Sequence, residues 1–173
     1  MRLHIGGDIR KEGWTVLNVQ PGPHVDIVGT CTDLSMIADG AAEDVYASHV
    51  LEHLSYGQEL PKALAEIFRV LRPGGRFYAA VPDFELLCRL FLHPQAQPND
   101  RWEIMRRIFG GQVNPFDFHK VGLWTDCLAG LLRGTGFVDI RRTESFDLFD
   151  DGSKATYGGV PISLNLEARK PAA

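Results

Sequence analysis

His49, Glu52 and His53, in the stretch "ASHVLEHL" from Ala47 to Leu54, spell H-x-x-E-H. Inside one helix, two imidazoles a turn apart can hold zinc while the glutamate works as a base, which is the chemistry of a zinc hydrolase. The flanking residues argue against that geometry here. "DVYAS", from 44 to 48, reads as a strand, so His49 stands at or before the first helical position, where the backbone is not yet helical. Glu52 is then expected to turn back onto the exposed N–H groups of a helix start, as the acid of a capping box does. His53 is read as structural, and no metal is expected. A second reactive group lies far downstream in "NPFDFHK", where Asp117 and His119 sit in an aromatic-rich loop of the kind from which binding sites are made. His49 and His119 are the candidate general bases, because imidazole titrates near neutral pH.

The elements that must position these residues are legible from punctuation. "RLHI", "TVLNV", "VDIV", "DVYAS" and "RFYAAV" are strand-length apolar runs rich in β-branched and aromatic residues. Between the last two, Leu60, Leu64, Ile67, Phe68 and Leu71 recur at helical spacing and "RPGG" stops the helix. Strand, helix and strand in that order predict a right-handed parallel crossover. Beyond residue 83 the pattern predicts a helix in "DFELLCRLFL" capped by Asp83, a second in "RWEIMRRIF", a third over roughly 123–133, and a late strand pair in "FVDIRR" and "PISLNLEAR". Asp150 and Asp151, before Gly152 and Ser153, read as a turn with a capping aspartate. The order predicts a doubly wound α/β sheet of seven mostly parallel strands with one antiparallel edge strand, and a ligand site at the carboxyl ends of its strands.

Composition narrows the partners. A chain of 173 residues with 45% hydrophobic content is expected to form one domain. The net charge of −4, with no basic run, excludes the electrostatic footprint of a nucleic-acid binder. No apolar run approaches the roughly 18 residues that cross a bilayer, and "MRLHIGGDIR" lacks the apolar core of a secretion signal, so a cytoplasmic location without membrane contact is expected. Cys31, Cys88 and Cys127 are odd in number and contain no C-x-x-C, which points to reduced, packed thiols.

The run "DVYASHVLEHL…ALAEIFRVLRPGGRFYAAVPD" resembles class I S-adenosylmethionine-dependent methyltransferases of the Rossmann-like fold. Within them it is similar to a small, type 11-like bacterial group of predicted methyltransferases with a D-F-H-K element, here Asp117 to Lys120, and a late "PISLN" strand. The resemblance implies a single domain over 1–173, with 1–82 binding the cofactor and 83–173 carrying substrate-side helices and the late strand pair. It implies S-adenosylmethionine as cofactor and transfer of its methyl group to a small-molecule or glycan acceptor. It also implies roles for residues. Gly6 and Gly7 would offer backbone N–H groups to the methionine carboxylate, Asn18 or Gln20 would stand where the family's ribose-binding acid stands, and Thr30, Cys31 and Leu34 would flank the adenine. Ser48 and His49 would face the methionine end. The helix that usually follows the first strand is nearly absent, since about nine residues separate Ile5 from Thr15. An amide in place of the acid offers only neutral hydrogen bonds. A non-catalytic binding module with a decayed pocket is therefore the first alternative, and the zinc hydrolase is the second.

Overall fold

The computed structural model describes residues 1–172. Its strands are β1 Arg2–Ile5, β2 Trp14–Asn18, β3 Ile27–Val28, β4 Ala42–Ser48, β5 Leu71–Pro82, β6 Val138–Thr143, β7 Thr156–Tyr157, β8 Val160–Pro161 and β9 Ser163–Arg169. The helices are α1 Glu59–Val70, α2 Phe84–Phe91, α3 Pro98–Phe109 and α4 Thr125–Thr135. Seven strands form one sheet in the order β3-β2-β1-β4-β5-β9-β6, and β7 pairs with β8 in a separate hairpin. The predicted crossover is present: β4 and β5 are parallel neighbours, with Val45 opposite Phe77. The reversed strand, however, is not at the edge. β9 runs antiparallel between β5 and β6, and β6 closes the sheet. The connection from α4 carries β6 to the outer position, and the long return through residues 144–162 inserts β9 beside β5.

Local contacts set the ends of several elements. β3 shrinks to Ile27–Val28 because the Asp26 carboxylate accepts the Val16 N–H at 2.8 Å, so its side chain takes a place that a ladder carbonyl would fill. α1 starts on reciprocal bonds between Ser55 and Glu59, in which Ser55 N donates to Glu59 Oε2 at 2.7 Å and Glu59 N to Ser55 Oγ at 3.3 Å. Asp83 caps α2 as its sequence predicts, accepting from Leu86 N at 3.2 Å.

The two faces of the sheet are unlike. Leu3, Ile5, Val45, Ala47, Phe77 and Ala79 alternate onto one face and pack beneath α1 and α4, whose Leu60, Leu64, Ile67, Leu128 and Leu132 are buried. Each such leucine contributes about 2 kcal/mol of transfer free energy. The opposite face carries Trp14, Tyr46 and Tyr78, and Phe149 and Phe146 cover them from the segment after β6. Tyr46 donates its hydroxyl to Asp151 at 2.9 Å, which ties that segment down. Irregular chain does here what a helix layer would otherwise do, because only residues 6–13 and 19–26 join the first three strands. No helix among the described residues is long and apolar enough to cross a membrane.

Candidate active site

A cavity of about 500 Å³ opens at the carboxyl ends of β1, β2 and β4, within the size range of small-molecule and cofactor sites. Ile5 and Gly6 line it from the first strand, Leu17 to Gln20 from the second, Gly29 to Cys31 after β3, and His49 and Val50 after β4. Asn114 to Phe118 and Lys120 close the far side.

At the β1–β2 end, polar groups are largely consumed internally. Gly6 has φ 74°, and its N–H donates to Leu17 O at 2.7 Å, so that N–H is not free for a carboxylate. A Cβ there would overlap Val50. Asn18 Nδ2 donates to Gly7 O at 3.0 Å while Asn18 Oδ1 accepts from Gln20 N at 3.0 Å, so its amide staples two turns together. Thr30 Oγ1 accepts from Thr32 N at 3.2 Å. Cys31 is buried, and burial pushes its thiol up to about 11, leaving it protonated and inert.

The turn after β4 is different. His49 adopts φ 54° and its N–H donates to Ala80 O at 2.8 Å, which turns the chain abruptly at the strand end. A single 3-10 turn, Leu51–His53, follows in place of an α-helix, so the paired geometry of a helical H-x-x-E-H does not form. His49 Nε2 meets Ser163 Oγ at 3.0 Å, and Ser163 Oγ donates to Gly152 O at 2.6 Å. The serine has one proton, so His49 must donate through Nε2 and carry its lone pair on Nδ1. Burial lowers the His49 pKa to about 4, and 28% of its side chain stays exposed. Glu52 is fully buried, and among the described residues neither of its carboxylate oxygens has a hydrogen-bond partner. Burial pushes its acid up to about 8. The capping role expected of Glu52 is therefore not adopted: the positive φ at His49 swings the turn so that the side chain points inward, and the turn has no side-chain cap. His49 Nδ1 lies 3.5 Å and His119 Nε2 4.0 Å from Glu52 Oε1. His53 and His119 meet edge to face with centroids 4.8 Å apart.

His119 reaches this place through a tightly folded loop. Gly110, with φ 84°, ends α3 where a Cβ would overlap the Asp117 carbonyl. Gln112 N donates to Asp117 O at 3.0 Å, His119 N to Phe109 O at 3.1 Å, and Lys120 N to Glu52 O at 2.8 Å. The Asp117 carboxylate accepts from Val113 N at 3.3 Å, so it organises the loop as well as bordering the cavity.

Residues 5–79 match the family model described as a methyltransferase domain. The fold is similar to that of an S-adenosylmethionine-dependent methyltransferase from Archaeoglobus fulgidus, at a TM-score of 0.62 and 14% identity over 98% of this chain and 85% of that one. The matched segment is a methyltransferase domain, and the fold of the chain is that of S-adenosylmethionine-dependent methyltransferases. A Burkholderia thailandensis 1,6-didemethyltoxoflavin-N1-methyltransferase, solved with its substrate and S-adenosylhomocysteine, matches this methyltransferase fold at a TM-score of 0.60 and 16% identity, over 98% of this chain and 71% of that one. A Bordetella parapertussis protein described as a "possible exported protein" matches at 0.60 and 12%, over 99% of this chain, which spans 62% of that one's length. No curated protein gives a significant sequence match.

The Burkholderia thailandensis enzyme holds S-adenosylhomocysteine, the demethylated form of S-adenosylmethionine. The cavity of this chain fits S-adenosylmethionine in volume, in its place at the strand ends and in the apolar flank of Ile5, Leu17 and Val50, although no carboxylate ends β2. Of the residues singled out from sequence, Gly6, Asn18, Gln20, Thr30, Cys31, His49 and Asp117 line the cavity. Gly7 does not; it is buried against the His4 ring, where a Cβ would overlap the imidazole. Leu34 is fully buried in the core, its N–H held by Glu66 and its carbonyl by Arg69, so it offers no face to a purine. Ser48 points to the opposite sheet face, donating to Asp151 at 3.1 Å, because strand alternation places it with Tyr46. His119 faces Glu52 and His53 instead of the main cavity. Sequence reasoning missed the burial of Glu52, although its neighbours Val50, Leu51 and Leu54 were a signal of an inward-facing turn. It also missed Ser163, which fixes the tautomer of His49 from the far end of the chain.

Proposed function

We propose that the chain transfers a methyl group from S-adenosylmethionine to a small-molecule or glycan acceptor, with residues 1–82 holding the cofactor and residues 83–173 facing the acceptor. The observation that carries this reading is the cavity at the carboxyl ends of the strands of the matched methyltransferase domain, closed by the 114–118 loop. The cofactor supplies an electrophilic methyl group, so the protein's task is to align an acceptor atom with it and to take up a proton. Gly6, Gln20, Thr30 and Cys31 would hold the cofactor. Asn114, Phe116 and Phe118 supply a polar and aromatic wall on the acceptor side. His49, whose Nδ1 is free of the Ser163 bond, takes the acceptor's proton.

One observation favours a second reading, a non-catalytic binding module: the Gly6 N–H and the Asn18 amide are already satisfied within the protein. Calorimetric titration with S-adenosylhomocysteine separates the two. Methyl transfer expects saturable binding at one site per chain; absence of binding would overturn it in favour of the module.

A further inference from the structure

Glu52 is a buried acid whose oxygens have no hydrogen-bond partner among the described residues. Arg107 borders the same small void but pairs with Glu103 at 3.4 Å, and Lys120 pairs with Glu59 at 2.9 Å. What surrounds the acid is imidazole. One donor atom each from Glu52, His53 and His119 lies within 4.8 Å of the other two. The His53 ring is also prepared for a cation. His53 Nδ1 lies 3.2 Å from Phe118 O, and a carbonyl can only accept, so Nδ1 carries the proton and Nε2 the lone pair. A ring N–H donated to a backbone carbonyl is the usual outer support of a metal-bound histidine. His119 presents its Nε2 toward Glu52 Oε1 at 4.0 Å.

We propose that Glu52, His53 and His119 form a binding site for a zinc-class divalent cation. Two imidazole nitrogens and one carboxylate oxygen suit zinc and its transition-metal neighbours, whereas magnesium and calcium favour all-oxygen shells. Three protein donors leave a tetrahedral ion one position to fill, the count of a reactive rather than a purely structural site. His53 also belongs to the wall of the main cavity, so the ion sits beside the proposed acceptor side. The set is not the helical pair that H-x-x-E-H first suggests. His49 is engaged by Ser163 through Nε2 and lies beside Glu52 without being a member of the set. The departure from the metal-free reading of this segment comes from His119, which is 66 residues beyond His53 in sequence and reaches the turn only through the Gly110 loop.

The site does not depend on the methyl-transfer reading, and its test uses neither cofactor nor acceptor. The full chain, stripped with a chelator, is titrated with zinc chloride against a competing indicator, with stoichiometry from elemental analysis and geometry from the visible spectrum of the cobalt(II) form. The expected result is one zinc per chain and an intense cobalt band of four-coordinate type. Glu52→Gln and His119→Gln should each weaken zinc binding roughly a hundredfold or more, beyond the effect of losing an outer-shell partner, while His49→Ala stays within about tenfold. Circular dichroism checks that each variant folds, and His53→Gln replaces any that does not. Substoichiometric zinc in the unaltered protein would overturn the proposal, as would zinc binding lost in His49→Ala and kept in His119→Gln.

Discussion

The two ends of the cavity differ in how their polar groups are satisfied. Around Gly6 and Asn18, N–H and C=O groups bond to one another across two adjacent turns, so the region is scaffold before it is anything else. Around Glu52, a carboxylate and three imidazoles converge with the acid unpaired. Leaving a buried polar group without a partner costs on the order of 1–3 kcal/mol in a folded chain, and burial keeps this acid protonated at neutral pH. Internally satisfied groups account for shape, and unsatisfied ones mark where a proton or a cation belongs.

His4 sharpens that contrast. Its Nδ1 is also buried and unpaired, yet it sits against Tyr46 and Phe149 and belongs to no cluster of three ligating groups among the described residues. Burial lowers its pKa to about 4, so the folded protein binds fewer protons than the unfolded chain between that value and 6.5. The corresponding stability is complete above pH 6.5 and is lost as pH falls toward 4, on the order of 3 kcal/mol. His4→Gln should remove that part of the acid sensitivity in denaturant melts from pH 7 to pH 4; an unchanged pH profile would show that His4 is solvated.

Gly6→Ala should cost about 3 kcal/mol, from a positive φ and an overlap with Val50, read as a lower unfolding midpoint. Asn18→Asp replaces the donor to Gly7 O by an acceptor and should cost about 2 kcal/mol, whatever it does to ligand binding. If that variant is as stable as the parent, the two ends of the cavity do not differ in the way described. Gln20 lines the cavity, and its side chain makes no hydrogen bond among the described residues. Gln20→Glu should therefore tighten S-adenosylhomocysteine by about 1 kcal/mol through a charge-assisted bond to a ribose hydroxyl, and calorimetry reads this directly. The smallest effect is expected at the unpaired acid: in zinc-free protein at pH 7, Glu52→Gln should change unfolding free energy by less than about 1 kcal/mol, since no bond is lost. A loss as large as that of Asn18→Asp would reveal a partner for Glu52 and break the contrast.

Much of the frame was legible because it is local. The apolar run of β4, the helical spacing of α1 and the Asp83 cap are set by neighbours within a few residues, and they recur where the sequence puts them. Leu34 was misread because an apolar residue near a strand end looks the same whether it faces a cavity or the core; Glu66 and Arg69, on α1, decide which. Ser48 was misread by one step of strand alternation, which sends it to Asp151 on the other face.

By itself, then, the chain's sequence determined the parallel crossover, the methyltransferase frame, and a strand end at Ser48 that denies His49 and His53 a common helix, because periodicity and turn chemistry act over short distances. Only the tertiary structure decided that β9 enters between β5 and β6, that loop residues 146–151 stand in for a helix layer, and that His119 meets Glu52 and His53. Those outcomes depend on which distant segments compete to cover one buried surface, a choice that no short stretch of residues contains.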